Sequence, residues 1–132
     1  MQFNTALGYR AGDTLTNGTN NVVIGDDADV TGVAVVEATI VGSNANAFNR
    51  SAVLGAYATG GENSTVFRTR GSAAAGQGSV VLGRSATSTA ANQFVVGSAA
   101  INAGTVTLAP APQTHYWTIK INGTDYKVLL ST

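Results

Sequence analysis

The sequence has no cysteine, two prolines and one tryptophan, and its seven acidic residues balance seven basic ones. Without cysteine there is no disulfide framework, no thiol nucleophile and no cysteine-based zinc site. The balanced charge removes the electrostatic reason to bind nucleic acid or an acidic membrane surface. No apolar run approaches the roughly 18 residues of a transmembrane span, so membrane insertion is not expected. Glycine does not recur at every third position, which excludes a collagen triple helix.

Large apolar side chains are also scarce, although 44% of the residues are hydrophobic. Alanine supplies 21 of the 132 residues, and Gly, Ala, Ser, Thr and Asn together supply 74. Low charge with many β-branched residues argues against disorder. A single chain of this composition is not expected to build a thick core. Narrow layers of Val, Leu and Ile between small residues are expected instead, as in a stacked β architecture.

A short apolar run that ends in glycine recurs seven times, with arginine replacing glycine in the fifth copy. Successive copies are 17, 17, 13, 13, 15 and 14 residues apart. This period is too short for helical-hairpin repeats and suits one coil of a parallel β-roll or β-solenoid of about seven coils. The glycine position is occupied by Gly8, Gly25, Gly42, Gly55, Arg68, Gly83 and Gly97.

Two adjacent positions of the repeat are apolar in every copy. Neighbouring strand residues point to opposite faces, so both faces of these strands are predicted to be dry. One face of these strands is expected to fill the inside of the roll. Another copy of the chain is expected to cover the other face. Column A, directly before the glycine position, is Leu7, Ile24, Val41, Leu54, Phe67, Leu82 and Val96; column B, one residue earlier, is Ala6, Val23, Ile40, Val53, Val66, Val81 and Val95.

Two further columns contain small or short polar residues. Three residues after the glycine position only Ala or Gly occurs, which indicates close packing of the backbone. Four residues before it, short polar side chains are expected to bond backbone groups where a coil turns, and glycine itself supplies positive φ. The small column is Ala11, Ala28, Ala45, Ala58, Gly71, Ala86 and Ala100; the polar column is Asn4, Asn21, Ser51, Ser64, Ser79 and Gln93, with Ala38 as the exception.

The unit Asn/Ser-x-Val-x-Gly-x-x-Ala, present at residues 21–28 and 79–86, resembles the head repeat of trimeric autotransporter adhesins. The same repeat occurs in many bacteriophage tail fibres. The resemblance spans roughly residues 2–104 and implies a left-handed parallel β-roll with three chains side by side around a long axis. Arg68 and the 17-residue spacings depart from the pattern, and they predict distorted middle coils and protruding loops.

The C-terminal segment leaves the repeat. Residues 109–112 read Ala-Pro-Ala-Pro, a stiff linker, and Asn-Gly at 122–123 between two β-rich runs predicts a two-residue antiparallel hairpin. The run 121–130 resembles the terminus of phage fibre and other virion appendage proteins, which favours phage over adhesin. The predicted parts are a repeat β-roll at 1–108, a Pro linker at 109–114 and a trimerisation hairpin at 115–132. The apolar hairpin face, expected to pack around a threefold axis, carries Trp117, Ile119, Tyr126 and Val128.

Few side chains are suited to catalysis, metal binding or ligand contact. His115 is the only histidine and has no evident nucleophile partner, so neither a catalytic site nor a cofactor is expected. An acidic cluster could hold a hard cation, but it lies on the corner after Gly25, where aspartate is a good turn former, so no metal site is expected. Three arginines are expected on a solvated outer face, with an anionic glycan or a partner surface as the alternative contact. Three tyrosines are expected to pack or to have no specific role, with sugar stacking as the alternative if they are exposed. These residues are Asp26, Asp27 and Asp29; Arg68, Arg70 and Arg84; and Tyr9, Tyr57 and Tyr116.

The sequence therefore predicts an all-β, homotrimeric structural protein of a phage particle, and not an enzyme. The first hypothesis is a fibre or spike segment that presents a host-attachment surface. The alternatives are a trimeric capsid decoration (cement or head-fibre) protein and the head fragment of a bacterial trimeric surface adhesin. The expected partners are further copies of the chain, other virion proteins and a host surface glycan or protein, and the expected location is the surface of the virion.

Overall fold

The computed structural model describes residues 3–68, 77–98, 100, 115–121 and 124–130, and every regular element among them is a β-strand. No helix in this part of the chain is long and apolar enough to cross a membrane. The strands are β1 (Thr5–Leu7), β2 (Val22–Ile24), β3 (Asp29–Val30), β4 (Thr39–Val41), β5 (Asn46–Ala47), β6 (Ala52–Leu54), β7 (Thr59–Gly60), β8 (Thr65–Phe67), β9 (Val80–Leu82), β10 (Phe94–Val96), β11 (His115–Ile121) and β12 (Thr124–Leu130).

Seven of these strands form one parallel sheet in the order β1-β2-β4-β6-β8-β9-β10. Each strand pairs with the equivalent residues of the next coil: Ala6 opposes Val23, and Val23 opposes Ile40. The prediction of a parallel β-solenoid is confirmed, with the seven strands joined by six turns of chain. Because the register follows the repeat, the differences in coil length are absorbed in the turns.

Column B faces the interior of the solenoid. Its five middle members are at most 2% exposed, whereas Ala6 in the first coil is exposed and Val95 in the last is half-buried. Every middle coil therefore covers the core of its neighbours, whereas β1 and β10 each pair with one strand only among the described residues. The buried members are Val23, Ile40, Val53, Val66 and Val81.

A second parallel sheet, β3-β5-β7, closes the other side of the early coils. Its inward residues Val30, Ala47 and Gly60 are buried, and an ideal Cβ on Gly60 would lie 2.5 Å from Val53 Cγ2. The space between the two sheets is therefore too narrow for large side chains on both, which explains the high alanine content. Four members of the small column line the same interior, with Ala28, Ala45, Ala58 and Ala86 at most 1% exposed, whereas Ala11 is half-buried and Ala100 is exposed.

The buried polar column satisfies backbone groups at the coil corners, as predicted. Asn21 is fully buried; its Oδ1 accepts from Ala38 N at 2.9 Å, and its Nδ2 donates to Val35 O at 2.7 Å. The ladder continues in the later coils, where Ser79 N donates to Ser64 Oγ at 3.3 Å. These bonds remove the cost of leaving buried donors and acceptors unpaired.

Left-handed backbone forms two corners of the coils in the described part of the chain. Eleven non-glycine residues in the described part of the chain have φ between 50° and 60°, and they form two columns. One lies two residues after the glycine position and the other five residues before it. The first column contains Arg10, Asp27, Asn44, Tyr57 and Ser85; the second contains Phe3, Asn20, Glu37, Arg50, Asn63 and Asn92.

Arg68 is buried, so its predicted place on a solvated outer face is wrong. Its backbone continues the ladder, with Arg68 N donating to Leu54 O at 3.0 Å. Its side chain is 4% exposed, Nη1 donates to the carbonyl of Ala86, and burial lowers the pKa of the guanidinium. The interior backbone carbonyl supplies a charge-assisted hydrogen bond that offsets part of the desolvation. Arg84 is exposed as expected, and Arg70 lies outside the described residues.

Strands β11 and β12 pair antiparallel, with Trp117 opposite Val128 and Ile119 opposite Tyr126. The predicted turn at 122–123 and the Pro linker at 109–114 lie outside the described residues. On the face of this pair that carries Thr118 and Lys127, Lys127 Nζ lies 4.1 Å from the centroid of the Tyr116 ring, and all three residues are exposed.

Candidate interaction surface

Column A forms an exposed apolar stripe along the outside of the solenoid. It alternates with the buried column B on every strand, so its side chains point away from the core. Leu7, Leu54, Phe67 and Val96 are 66%, 48%, 47% and 50% exposed. The other three members are half-buried. We call the seven residues the outer stripe: Leu7, Ile24, Val41, Leu54, Phe67, Leu82 and Val96.

The first residue of each strand widens the surface beside the outer stripe. None of the outward residues in the two rows is charged. With neighbouring strands about 4.8 Å apart, seven strands give the surface a length of about 29 Å. A continuous, uncharged and mostly apolar surface of this kind is typical of a protein contact and unusual for an isolated soluble chain. The second row is Thr5, Val22, Thr39, Ala52, Thr65, Val80 and Phe94.

Charged side chains occupy the corners of the coils. Arg10 Nε lies 3.0 Å from Asp13 Oδ2, and Arg10 Nη1 lies 3.2 Å from Asp27 Oδ1. The hydrogen bond from Arg10 is the main cause that lowers the pKa of Asp13. Arg50 lies 3.6 Å from both Glu37 Oε2 and Glu62 Oε1.

Three of these four ion pairs link neighbouring coils along the corners, and the Arg10–Asp13 pair lies within one coil. They are solvent-exposed, and exposed ion pairs contribute about 0–1 kcal/mol each. They therefore stabilise the solenoid weakly. Because they lie outside the two outward rows, they leave the outer stripe uncharged.

Two of the three residues of the acidic cluster contact neighbouring side chains, and the third, Asp26, is exposed. Asp29 Oδ2 accepts from Thr14 Oγ1 at 2.7 Å, and Asp27 pairs with Arg10. Asp27 also has φ of 51°, which is the turn-forming role that the sequence allowed. Across the described residues, no group of three His, Cys, Asp or Glu side chains is placed to hold a metal ion.

The three tyrosines singled out in the sequence are all exposed in the chain, which is the condition that the sequence analysis set for sugar stacking. Tyr9, Tyr57 and Tyr116 are 71%, 54% and 55% exposed. Tyr9 follows the first strand and Tyr57 the fourth strand of the sheet, which separates their coils by about 14 Å. The structure does not bring them together into one sugar-stacking platform. His115 is the first residue of β11.

Two features of the surface were missed by sequence reasoning. The first is the pair of left-handed corner columns, although five of their eleven members are Asn or Asp, the side chains that tolerate this conformation best. That enrichment is a signal the sequence carries. The second is the exposure of Ala6 in β1, which carries no sequence signal because burial in column B depends on a strand on each side, and β1 pairs only with β2 among the described residues.

No family model matches the chain, and a search of curated proteins found no match.

Proposed function

We propose that this protein is a homotrimeric structural component of a phage particle, a fibre or spike segment that presents a host-attachment surface. The outer stripe is the trimer contact in this proposal. Three solenoids lie side by side with their outer stripes facing a common axis, and the corners with their exposed ion pairs and tyrosines face outward.

The observation that supports the proposal most directly is the continuous, uncharged outer stripe. Leu54 and Phe67 are about half exposed although both are large and apolar. Full burial of such a side chain contributes about 1.5–3 kcal/mol, so burying the half that is still exposed contributes about half of that amount, and a trimer repeats the contribution three times. The hydrogen-bonded ladder between coils adds a stiff, elongated body, which suits a mechanical appendage more than a catalytic site.

The resemblance of residues 21–28 and 79–86 to fibre and adhesin head repeats supports three chains and a phage origin. The hairpin strands support the same arrangement, because a two-stranded hairpin is marginal by itself and gains stability from packing against further copies.

The trimer is tested by light scattering after size exclusion. The measured mass of the assembly should be about three times the 13.3 kDa of one chain. Leu54→Asp should reduce that mass, because it places three charges at the axis. Asn44→Asp is the matched control, since it adds the same charge at an exposed corner and should leave the trimer intact. A stable wild-type monomer, or equal effects of the two variants, would contradict the proposal.

The role in the particle is tested by gold-labelled antibody against the chain, applied to intact virions and viewed by electron microscopy. Labels on the tail or its fibres are expected. Labels distributed over the capsid would replace the fibre assignment by the decoration alternative, and particles without label would overturn both.

A further inference from the structure

The connection between β1 and β2 contains an Asn-Gly step at Asn17 and Gly18, and hydrogen bonds hold the backbone on both sides of it. Asn17 N donates to Val33 O at 2.7 Å, and Gly18 O accepts from Asn4 Nδ2 at 2.8 Å. The Asn17 side chain is exposed and forms no hydrogen bond within the described residues. Its amide group can therefore move while the backbone around it stays in place.

The backbone amide of Gly18 separates Asn17 from the other asparagines. Gly18 N donates no hydrogen bond within the part of the chain that the structure describes. The amide after each of the other asparagines in this part either donates a hydrogen bond of 2.8–3.2 Å or, at Ala47, lies in the second parallel sheet. These following residues are Thr5, Asn21, Val22, Ala45, Ala47, Arg50, Ser64 and Gln93, and none of them is glycine.

An asparagine side chain can react with the backbone amide that follows it. The Gly18 nitrogen attacks Asn17 Cγ, the side-chain nitrogen leaves as ammonia with the proton of the Gly18 amide, and a five-membered succinimide forms. Water then opens the ring: breaking the bond from Cγ to nitrogen gives aspartate, and breaking the bond from the main-chain carbonyl gives isoaspartate. Glycine favours the attack because it has no side chain beside the nitrogen. A bonded amide reacts more slowly because its hydrogen bond must break first.

We propose that Asn17 is a site of spontaneous deamidation, and that it is the asparagine most open to this reaction within the described residues. Gly18 is buried, so the folded protein should react more slowly than a free peptide of the same sequence. Isoaspartate lengthens the main chain by one atom between the two hydrogen bonds that hold this step. An ideal Cβ on Gly18 would collide with Val35 O, so the added atom has little room and should weaken the stacking of the first two coils. The inference is independent of the trimer and of the phage assignment.

The test incubates the full-length protein at neutral and at mildly alkaline pH and maps its peptides by mass spectrometry after digestion at acidic pH. Conversion of amide to carboxyl at Asn17 should be at least about tenfold faster than at any other asparagine of the described ranges, because the glycine and the free amide both favour it. The Asn-Gly step at 122–123 lies outside these ranges and is counted separately. The aged protein should melt at a lower temperature than the fresh protein. Asn17→Gln should lose less on ageing, because its longer side chain would have to close a six-membered ring.

Ala45→Gly is the matched control, because it places glycine after Asn44, which is exposed like Asn17. The small column accepts alanine or glycine, and the amide of residue 45 donates to Gly42 O at 3.2 Å. In this folded variant Asn44 should deamidate at least about fivefold more slowly than Asn17, and in urea the two rates should be similar.

Three results would overturn the proposal. The first is conversion at Asn17 no faster than at the other asparagines of the described ranges. The second is an equal rate at Asn17 and Asn44 in folded Ala45→Gly, which would show that the dipeptide alone decides and that the free amide does not. The third is an unchanged melting temperature in protein that contains isoaspartate at position 17, which would overturn the effect on the coils.

Discussion

At the scale of single residues, Gly42 and Gly12 both have positive φ, of 146° and 68°, but their surroundings differ. An ideal Cβ on Gly42 would lie 2.5 Å from Gly55 O, whereas one on Gly12 meets nothing closer than 3.8 Å. Gly42→Ala should therefore lower the free energy of unfolding by about 3–5 kcal/mol, and Gly12→Ala by about 1 kcal/mol from backbone strain alone. Denaturant titrations followed by circular dichroism measure both. Equal losses of the free energy of unfolding in the two variants would show that the close approach of neighbouring coils is not what requires glycine at position 42.

Val81 and Leu82 are neighbours on β9 with opposite environments. Val81 is 1% exposed inside the solenoid, and Leu82 is half-buried on the outer stripe. Val81→Asp should bury an unpaired carboxylate and destabilise the fold by about 4 kcal/mol or more. Leu82→Asp should keep the β spectrum and reduce the assembled mass, because its side chain points out of the coil.

Thermal melting followed by circular dichroism, together with light scattering, separates the two effects. If Val81→Asp keeps its melting temperature, column B is not the core. If Leu82→Asp keeps both its melting temperature and its assembled mass, the outer stripe is not a contact.

At the scale of elements, the strand pair β11–β12 is predicted to clamp the assembly. The solenoid coils are nearly interchangeable along the axis, so chains could associate one coil out of step unless a unique element sets their register. Deletion of residues 113–132 should give misassembled or aggregated chains. Trp117→Ala should cost about 3–5 kcal/mol if Trp117 packs at a threefold axis as proposed.

Tyr116→Ala is the matched control for the clamp, since Tyr116 is an exposed aromatic residue on the other face of the same strand. It should leave the assembled mass unchanged in light scattering. A chain that ends after Pro112 and still forms a homogeneous trimer of unchanged thermal stability would refute the clamp, and the exposed end would then become the leading candidate for receptor contact.

At the scale of the whole molecule, apolar contact and not charge is expected to hold the assembly together. The outer stripe has no charged residue, and the ion pairs of Arg10 and Arg50 are exposed on the corners. Raising NaCl from about 0.05 M to about 1 M shortens the Debye length to about 3 Å and screens such pairs. The mass measured by light scattering should stay unchanged over this range. Dissociation to the 13.3 kDa chain at high salt would contradict an apolar interface.

The sequence by itself determined the solenoid, the period of its coils and the columns that stack within them. The reason is that each coil repeats the same short pattern, so parallel pairing in register satisfies every copy at once. Strand alternation then separated column A from column B, and the polar column identified the side chains that bond the corners. The pairing of β11 with β12 follows the same alternation, with Trp117 opposite Val128.

Only the tertiary structure decided the burial and the pairing of residues that depend on contacts between coils of unequal length. Arg68 is buried because its guanidinium reaches a carbonyl 18 residues further along the chain. Arg50 bridges Glu37 and Glu62, which are 25 residues apart in sequence and meet through coil stacking. Ala6 is exposed while the column B residues of the middle coils are buried, since burial requires a strand on each side. These neighbours cannot be identified from the type of a residue, because they are set by how the coils stack in the fold.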